Sequence, residues 1–255
     1  MSALRLALFA LPCVSACALF TGLDDLRTSK VITMADAAPS EDAGPPHFVS
    51  ASFDESDAAP MDLGSLIAKG GSVAISRDTY FSPYQSLLAT ADAMPDGGGS
   101  LARFSRDIPA GAQHVVVDAR VLPCKYPTNG FASLLELLCT NGDIAGGVWL
   151  HFLPTSGGIR VRSDLESPGS MSDDKIDLGD AATMPAGTWA RVHLDVMYGA
   201  NGSVAFSVNE QALPTFSGPV GCAGGAPNRL IVGVYVEGQG ASCTTSYDDV
   251  VVDVE

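Results

Sequence analysis

Residues 187–209, GTWARVHLDVMYGANGSVAFSVN, decide the fold. Val192, Leu194, Val196 and Tyr198 alternate with Arg191, His193, Asp195 and Met197, and Val204, Phe206 and Val208 alternate with Ala205, Ser207 and Asn209. Period-two alternation marks a strand with one face against a core, and an Asn-Gly pair such as Asn201-Gly202 suits a tight hairpin turn because it accepts positive φ. The stretch therefore predicts a β-hairpin with one apolar and one polar face. A lone hairpin of this kind is not stable in water, so other strands must supply a sheet for the apolar face to pack on.

Working outward, such strands are found on both sides. HFVSASFDES (47–56), GGSVAIS (70–76), QSLLATAD (85–92), SLARFSRDI (100–108), HVVVDARVL (114–122) and SLLELLC (133–139) precede the hairpin. VWLHFLP (148–154) and IRVRSD (159–164) lead into it, and RLIVGVYV (229–236) and YDDVVVDVE (247–255) follow. Gly, Pro, Asn and Asp turns separate these roughly a dozen runs, and no amphipathic helix of useful length interrupts them. FASLLELL (131–138) has helical character, but its neighbours argue for a strand. The expectation is an all-β, antiparallel two-sheet β-sandwich over residues 48–255.

Composition agrees with a folded, turn-rich domain: 46% hydrophobic and 17% charged residues, with 27 Gly and 16 Pro. A net charge of −15 without any basic cluster makes nucleic acid an unsuitable partner. Residues 1–16 place Arg5 before a short apolar run and small residues, the layout of an export signal too short to span a bilayer. Val14-Ser15-Ala16-Cys17 resembles the bacterial lipobox, in which the cysteine is acylated after cleavage; Ala18 after Cys17 implies sorting to the outer membrane. Cys13 follows Pro12 and is the poorer acceptor. Residues 17–47 include MADAAPSEDAGPPH, which has no apolar periodicity and reads as a flexible tether. Lipid at Cys17 would make the membrane a partner and place the protein at the bacterial cell envelope.

Cys124, Cys139, Cys222 and Cys243 remain, an even number in an exported chain, which points to disulfides. Three pairings are open. Cys124 and Cys139 suit a local bridge across neighbouring strands, leaving Cys222 with Cys243. No C-x-x-C or paired His spacing favours zinc.

The order of these runs resembles the concanavalin A-like lectin/glucanase superfamily, which includes laminin-G-like modules. The resemblance is carried by Gly187-x-Trp189-x-Arg191-Val192, Leu194-Asp195-Val196, Asn201-Gly202, Phe206-Ser207-Val208-Asn209, Val232-Gly233-Val234 and Asp248-Asp249-Val250. It implies a jelly roll and gives Trp189 a packing role beside the core. It does not extend to the family's paired catalytic carboxylates, of which Asp253 and Glu255 are only an echo. Nor is there a G-x-S-x-G, H-E-x-x-H or P-loop motif, so no catalytic residue is expected.

A binding face is the better reading. With Val148, Leu150 and Phe152 inward, Trp149 and His151 point outward; with Ile159 and Val161 inward, Arg160 and Arg162 do the same on the adjoining strand. Aromatic rings stack on pyranose faces, and guanidinium groups bond hydroxyls and carboxylates. Arg191 and His193 extend this surface if the strands share a sheet. Jelly-roll modules often join first and last strands through a cation, so Asp54 and Glu55 with Asp248 and Asp249 are candidates for a structural Ca²⁺, which takes hard carboxylate oxygens. No cofactor is otherwise required. The sequence reads as an envelope lipoprotein whose β-sandwich binds a glycan or envelope protein without catalysis; a glycan-processing enzyme and a purely structural envelope protein are the alternatives.

Overall fold

The computed structural model describes residues 47–53, 63–82, 84–94, 98–124, 131–141, 143–153, 158–165, 175–177, 184–220, 227–237 and 241–255. All belong to the compact unit Pro45–Glu255. The strands are β1 (Val49–Ala51), β2 (Ser65–Lys69), β3 (Gly71–Ser76), β4 (Ser86–Ala91), β5 (Ser100–Asp107), β6 (His114–Leu122), β7 (Phe131–Asn141) and β8 (Asp143–Leu153). There follow β9 (Gly158–Leu165), β10 (Lys175–Asp177), β11 (Ala190–Met197), β12 (Gly199–Val208), β13 (Gln211–Ala212), β14 (Phe216–Val220), β15 (Arg229–Glu237) and β16 (Cys243–Val254). No α-helix occurs among the described residues.

Two antiparallel sheets form a jelly-roll-like sandwich. A nine-stranded sheet runs β13-β12-β11-β6-β16-β4-β3, with β1 paired to β16 and β14 to β12; a seven-stranded sheet runs β10-β9-β8-β7-β15-β5-β2. Alternation decides which side of each strand is buried. In β6, Val115, Val117, Ala119 and Val121 face inward, and in β11 Val192, Leu194 and Val196 do the same. They meet Leu137, Val148, Leu150, Phe152, Val232 and Val234 of the other sheet in one apolar core. FASLLELL is strand β7, as its neighbours require. The run SLIAK, β2, was not expected as a strand, and its five residues are all exposed at a sheet edge, so no burial pattern marks it.

The opening hairpin exists as β11 and β12, but its turn differs from expectation. The last pair is Met197 with Ser203, so five residues lie between the last paired positions, and Gly202 already pairs with Gly218 of β14. The tight two-residue turn comes at the other end of β12, at Asn209-Glu210, where Val208 pairs with Gln211 and both φ angles are positive (48° and 68°). Asn209 suits that position because its Oδ1 also accepts the backbone N–H of Arg191 at 2.9 Å.

Trp189 does not pack beside the core. Ala190 takes the inward position, so Trp189 lies on the outer side of the nine-stranded sheet, edge-to-face with Phe81 at a centroid distance of 6.1 Å. The expected local disulfide is also replaced. Cys124 is bonded to Cys243, 119 residues away, with Cα atoms 5.2 Å apart. Cys124 follows β6 and Cys243 opens β16, strands that pair at Leu122 and Ser246, whereas β7 with Cys139 belongs to the opposite sheet. Cys139 is itself disulfide-bonded, and Cys222 lies outside the described residues.

Candidate functional site

The outer face of the seven-stranded sheet carries the residues of the expected binding face. Val148, Leu150 and Phe152 are inward, each 1% exposed, which turns Trp149 and His151 to the outer side of the sheet, where Trp149 is half-buried and His151 only 6% exposed. The register places Arg162 directly opposite Trp149 and Arg160 directly opposite His151. The register thus sets these four positions in two adjoining rows over β8 and β9.

The rows continue onto β7 and β15 through residues that sequence reading alone does not select. Trp149 is opposite Glu136, and His151 is opposite Ser133, which in turn is opposite Tyr235. Ser133 and Glu136 are three positions apart, and in a regular strand an odd spacing puts side chains on opposite faces. A β-bulge between Ser133 and Leu135 inserts Leu134 and restores both to the outer face. The sequence signal for Glu136 is a lone carboxylate within an apolar run; nothing in the run marks the bulge.

Glu136 is 4% exposed and accepts a hydrogen bond from Arg103 Nη1 at 2.9 Å across the sheet from β5. Gly233 makes that approach possible, since a Cβ there would stand 2.5 Å from Arg103 Cα and from the Ala102 carbonyl. Burial raises the Glu136 carboxyl above its ordinary value; Arg103 and the Ser133 hydroxyl partly offset it. Burial and the neighbouring Glu237 likewise raise the Tyr235 phenol, which donates to Glu237 Oε2 at 3.1 Å. Arg103 Nε is buried without a hydrogen-bond partner. The result is a recessed polar centre, Glu136–Arg103–Ser133–His151–Tyr235, flanked by Trp149 and the two arginine positions of β9.

Beneath it, Tyr247 of β16 crosses from the other sheet. Its hydroxyl lies 2.6 Å from the Gly233 carbonyl and 2.9 Å from that of Leu134, the two places where the ladder between β7 and β15 is irregular. The bulge that assembles the polar centre is thus held from the core side by one phenol.

Arg191 and His193 do not extend this surface. Strand β11 sits between β12 and β6 in the nine-stranded sheet, so both residues face outward on the far side of the sandwich. There Asp118 receives Arg191 Nη2 at 3.1 Å and His193 Nδ1 lies 3.0 Å from its other oxygen. Of the proposed cation ligands, Asp54 and Glu55 lie outside the described residues. Asp248 is wholly buried and accepts the N–H groups of Phe81, Ser82 and Asp249, each at 2.9 Å, and the Ser82 hydroxyl at 3.1 Å. Burial raises its carboxyl; the hydrogen bonds pull it back. Asp249, at φ 48°, forms the bulge beside it. Among the described residues no three His, Cys, Asp or Glu side chains form a metal-binding group.

No family model matches the sequence, and no curated protein matches it. Solved structures do share the fold. The endo-β-1,4-glucuronan lyase of the fungus Trichoderma reesei aligns over 82% of this chain and 96% of its own, at 12% identity and a TM-score of 0.64. The marine PL-14 alginate lyase of Aplysia kurodai aligns over 83% and 100%, at 9% identity and 0.58. The cellulose induced protein Cip1 aligns over 80% and 96%, at 13% identity and 0.57. At these identities the likeness establishes the β-sandwich alone.

Proposed function

We propose that this protein binds an acidic polysaccharide across the outer face of its seven-stranded sheet and does not cleave it. One observation carries the reading: Trp149, His151, Arg160 and Arg162 occupy directly opposed positions on neighbouring strands, beside the recessed Glu136–Arg103 centre. Tryptophan and arginine at opposed positions are residue types that suit a sugar ring bearing a carboxylate. Fold neighbours named as lyases of glucuronan and alginate, both acidic chains, support that substrate class. The recessed guanidinium is already paired with Glu136, and Tyr235 with Glu237, which favours holding a chain over reacting with it.

Titration calorimetry of the full chain with glucuronan and alginate oligosaccharides tests the proposal. Trp149→Ala is expected to weaken binding about tenfold, equivalent to about 1.4 kcal/mol. Unchanged affinity rejects the site. A second reading, proton abstraction from a uronate, is favoured by the row Tyr235–Ser133–His151, which puts a phenol and an imidazole on one face. It requires unsaturated products to accumulate, seen as rising ultraviolet absorbance, and their absence removes it.

We further propose export and acylation at Cys17, placing the sandwich at the cell envelope. The Cys124–Cys243 disulfide supports an oxidising compartment. Metabolic acyl labelling should mark the wild type and vanish in Cys17→Ser; label that persists excludes this cysteine.

A further inference from the structure

The loop between β3 and β4 exposes aromatic rings to solvent: Tyr80 is 43%, Phe81 45% and Tyr84 71% exposed. Single exposed rings are ordinary, but three within five residues mark a surface that meets something. The loop is firmly held. The buried Asp248 carboxylate takes the N–H groups of Phe81 and Ser82 and the Ser82 hydroxyl, and Ser86 donates its hydroxyl to the Thr79 carbonyl. These bonds fix the Phe81 ring against Trp189, edge-to-face, with the Arg120 guanidinium 4.1 Å from its centroid.

A cavity of about 320 Å³ adjoins this pair, lined by Leu122, Pro123, Gly187, Ser242, Cys243 and Thr244. Leu122 lies two residues beyond Arg120 on the outward row of β6, and Gly187 lies two residues before Trp189. The aromatic pair and the cavity are therefore contiguous on the outer side of the nine-stranded sheet, away from the face that carries Trp149.

We propose that this is a second sugar site, selective for a neutral pyranose. The Phe81–Trp189 pair offers apolar surface for the C–H face of a ring, while Ser242 and Thr244, the latter hydrogen-bonded through its hydroxyl to Thr90 Oγ1 at 3.2 Å, line the cavity with polar residues. Charge sets the class of sugar. The guanidinium groups described on this side are committed, Arg120 over Phe81 and Arg191 to Asp118, and against these two cations the same side carries Asp118, Asp195, Asp249 and Asp253, with His193, His114 and His47 beside the first, second and last of them. Among the described residues the carboxylates on this side outnumber the arginines, a balance that disfavours a uronate. Size suits the occupant: the volume is at the low end for a ligand pocket and enough for a sugar ring. The molecule then holds two glycans of different charge, one on each outer face.

Titration of the full chain with cellohexaose, maltohexaose and xylohexaose tests this. At least one should bind, and Phe81→Ala should weaken it about tenfold while leaving the melting temperature and the binding of acidic oligosaccharides unchanged. Thr244→Arg, which fills the cavity and leaves the rings in place, should weaken it as well. Absence of binding to all three probes overturns the proposal, as does affinity indifferent to Phe81→Ala. A concentration-dependent dimer that Phe81→Ala dissolves, without an effect of sugar, overturns it in favour of self-association. Because the acidic site is read out through Trp149→Ala and a different probe, either site can fail without the other.

Discussion

At the scale of single residues, Glu136 is the most consequential side chain: a carboxylate 4% exposed that depends on Arg103 for its counter-charge. Removing one partner of a buried pair strands the other charge, so Arg103→Met is expected to cost about 3–5 kcal/mol near neutral pH. The pH dependence has a definite sign. Burial already raises the folded carboxyl above its ordinary value, and loss of the guanidinium raises it further. Between the unfolded and folded values the native state binds the extra proton, so stability falls as pH rises through that window and is retained below it. The cost of Arg103→Met should therefore be largest at about pH 7 and shrink toward about pH 3, below the ordinary carboxyl range, where the carboxyl is protonated in both states. Urea denaturation at the two pH values measures this; an equal loss at both would mean that packing, not charge, carries the effect. Neither residue is visible as a partner of the other in the sequence. Their meeting depends on β5 lying next to β15 and on a glycine between them.

At the scale of elements, what the sequence reveals is the phase of each strand, and what it hides is where that phase slips. The alternation in β8 and β11 gives the inward side of each, and with it the outward positions of Trp149 and His151. Strand β2 carries no such signal because an edge strand exposed on both faces has no burial pattern. The inserted Leu134 is equally silent, since an extra residue shifts the phase without changing composition. Sheet membership is tertiary as well, which is why Arg191 and His193 look like neighbours of Trp149 in pattern and lie on the opposite face. The bulge itself is testable through Tyr247, whose hydroxyl meets the Leu134 and Gly233 carbonyls. Tyr247→Phe keeps the ring and removes the donor, and a buried acceptor left unpaired costs about 1–3 kcal/mol. We expect that loss in thermal denaturation, together with weaker acidic-glycan binding, because Ser133 and Glu136 share a face only while the bulge holds. A destabilised variant with intact affinity would show that the bulge persists without its tether.

At the scale of the whole molecule, the sandwich is closed by its last strand. Strand β16 pairs with β6 on one side and with β4 and β1 on the other, so residues from both ends of the described domain meet in the centre of one sheet. Such pairing closes long loops, and loop closure opposes folding through chain entropy. The Cys124–Cys243 bond acts on that term, linking the end of β6 to the start of β16 across 119 residues. For a loop of this length the chain-entropy model gives about 4–5 kcal/mol, with measured losses of about 2–5 kcal/mol for native disulfides. The double variant Cys124→Ser, Cys243→Ser, which leaves no odd thiol at this site, should lose an amount in that range by urea denaturation. Cys243 also lines the cavity beside Trp189, while the Trp149 face lies on the other sheet. Under conditions where the variant is still folded, its affinity for neutral hexasaccharides should therefore fall while its affinity for acidic oligosaccharides holds. Loss of both affinities together, in a protein still folded by circular dichroism, would mean that the two faces are coupled through the core and that the bond organises the sandwich as a whole.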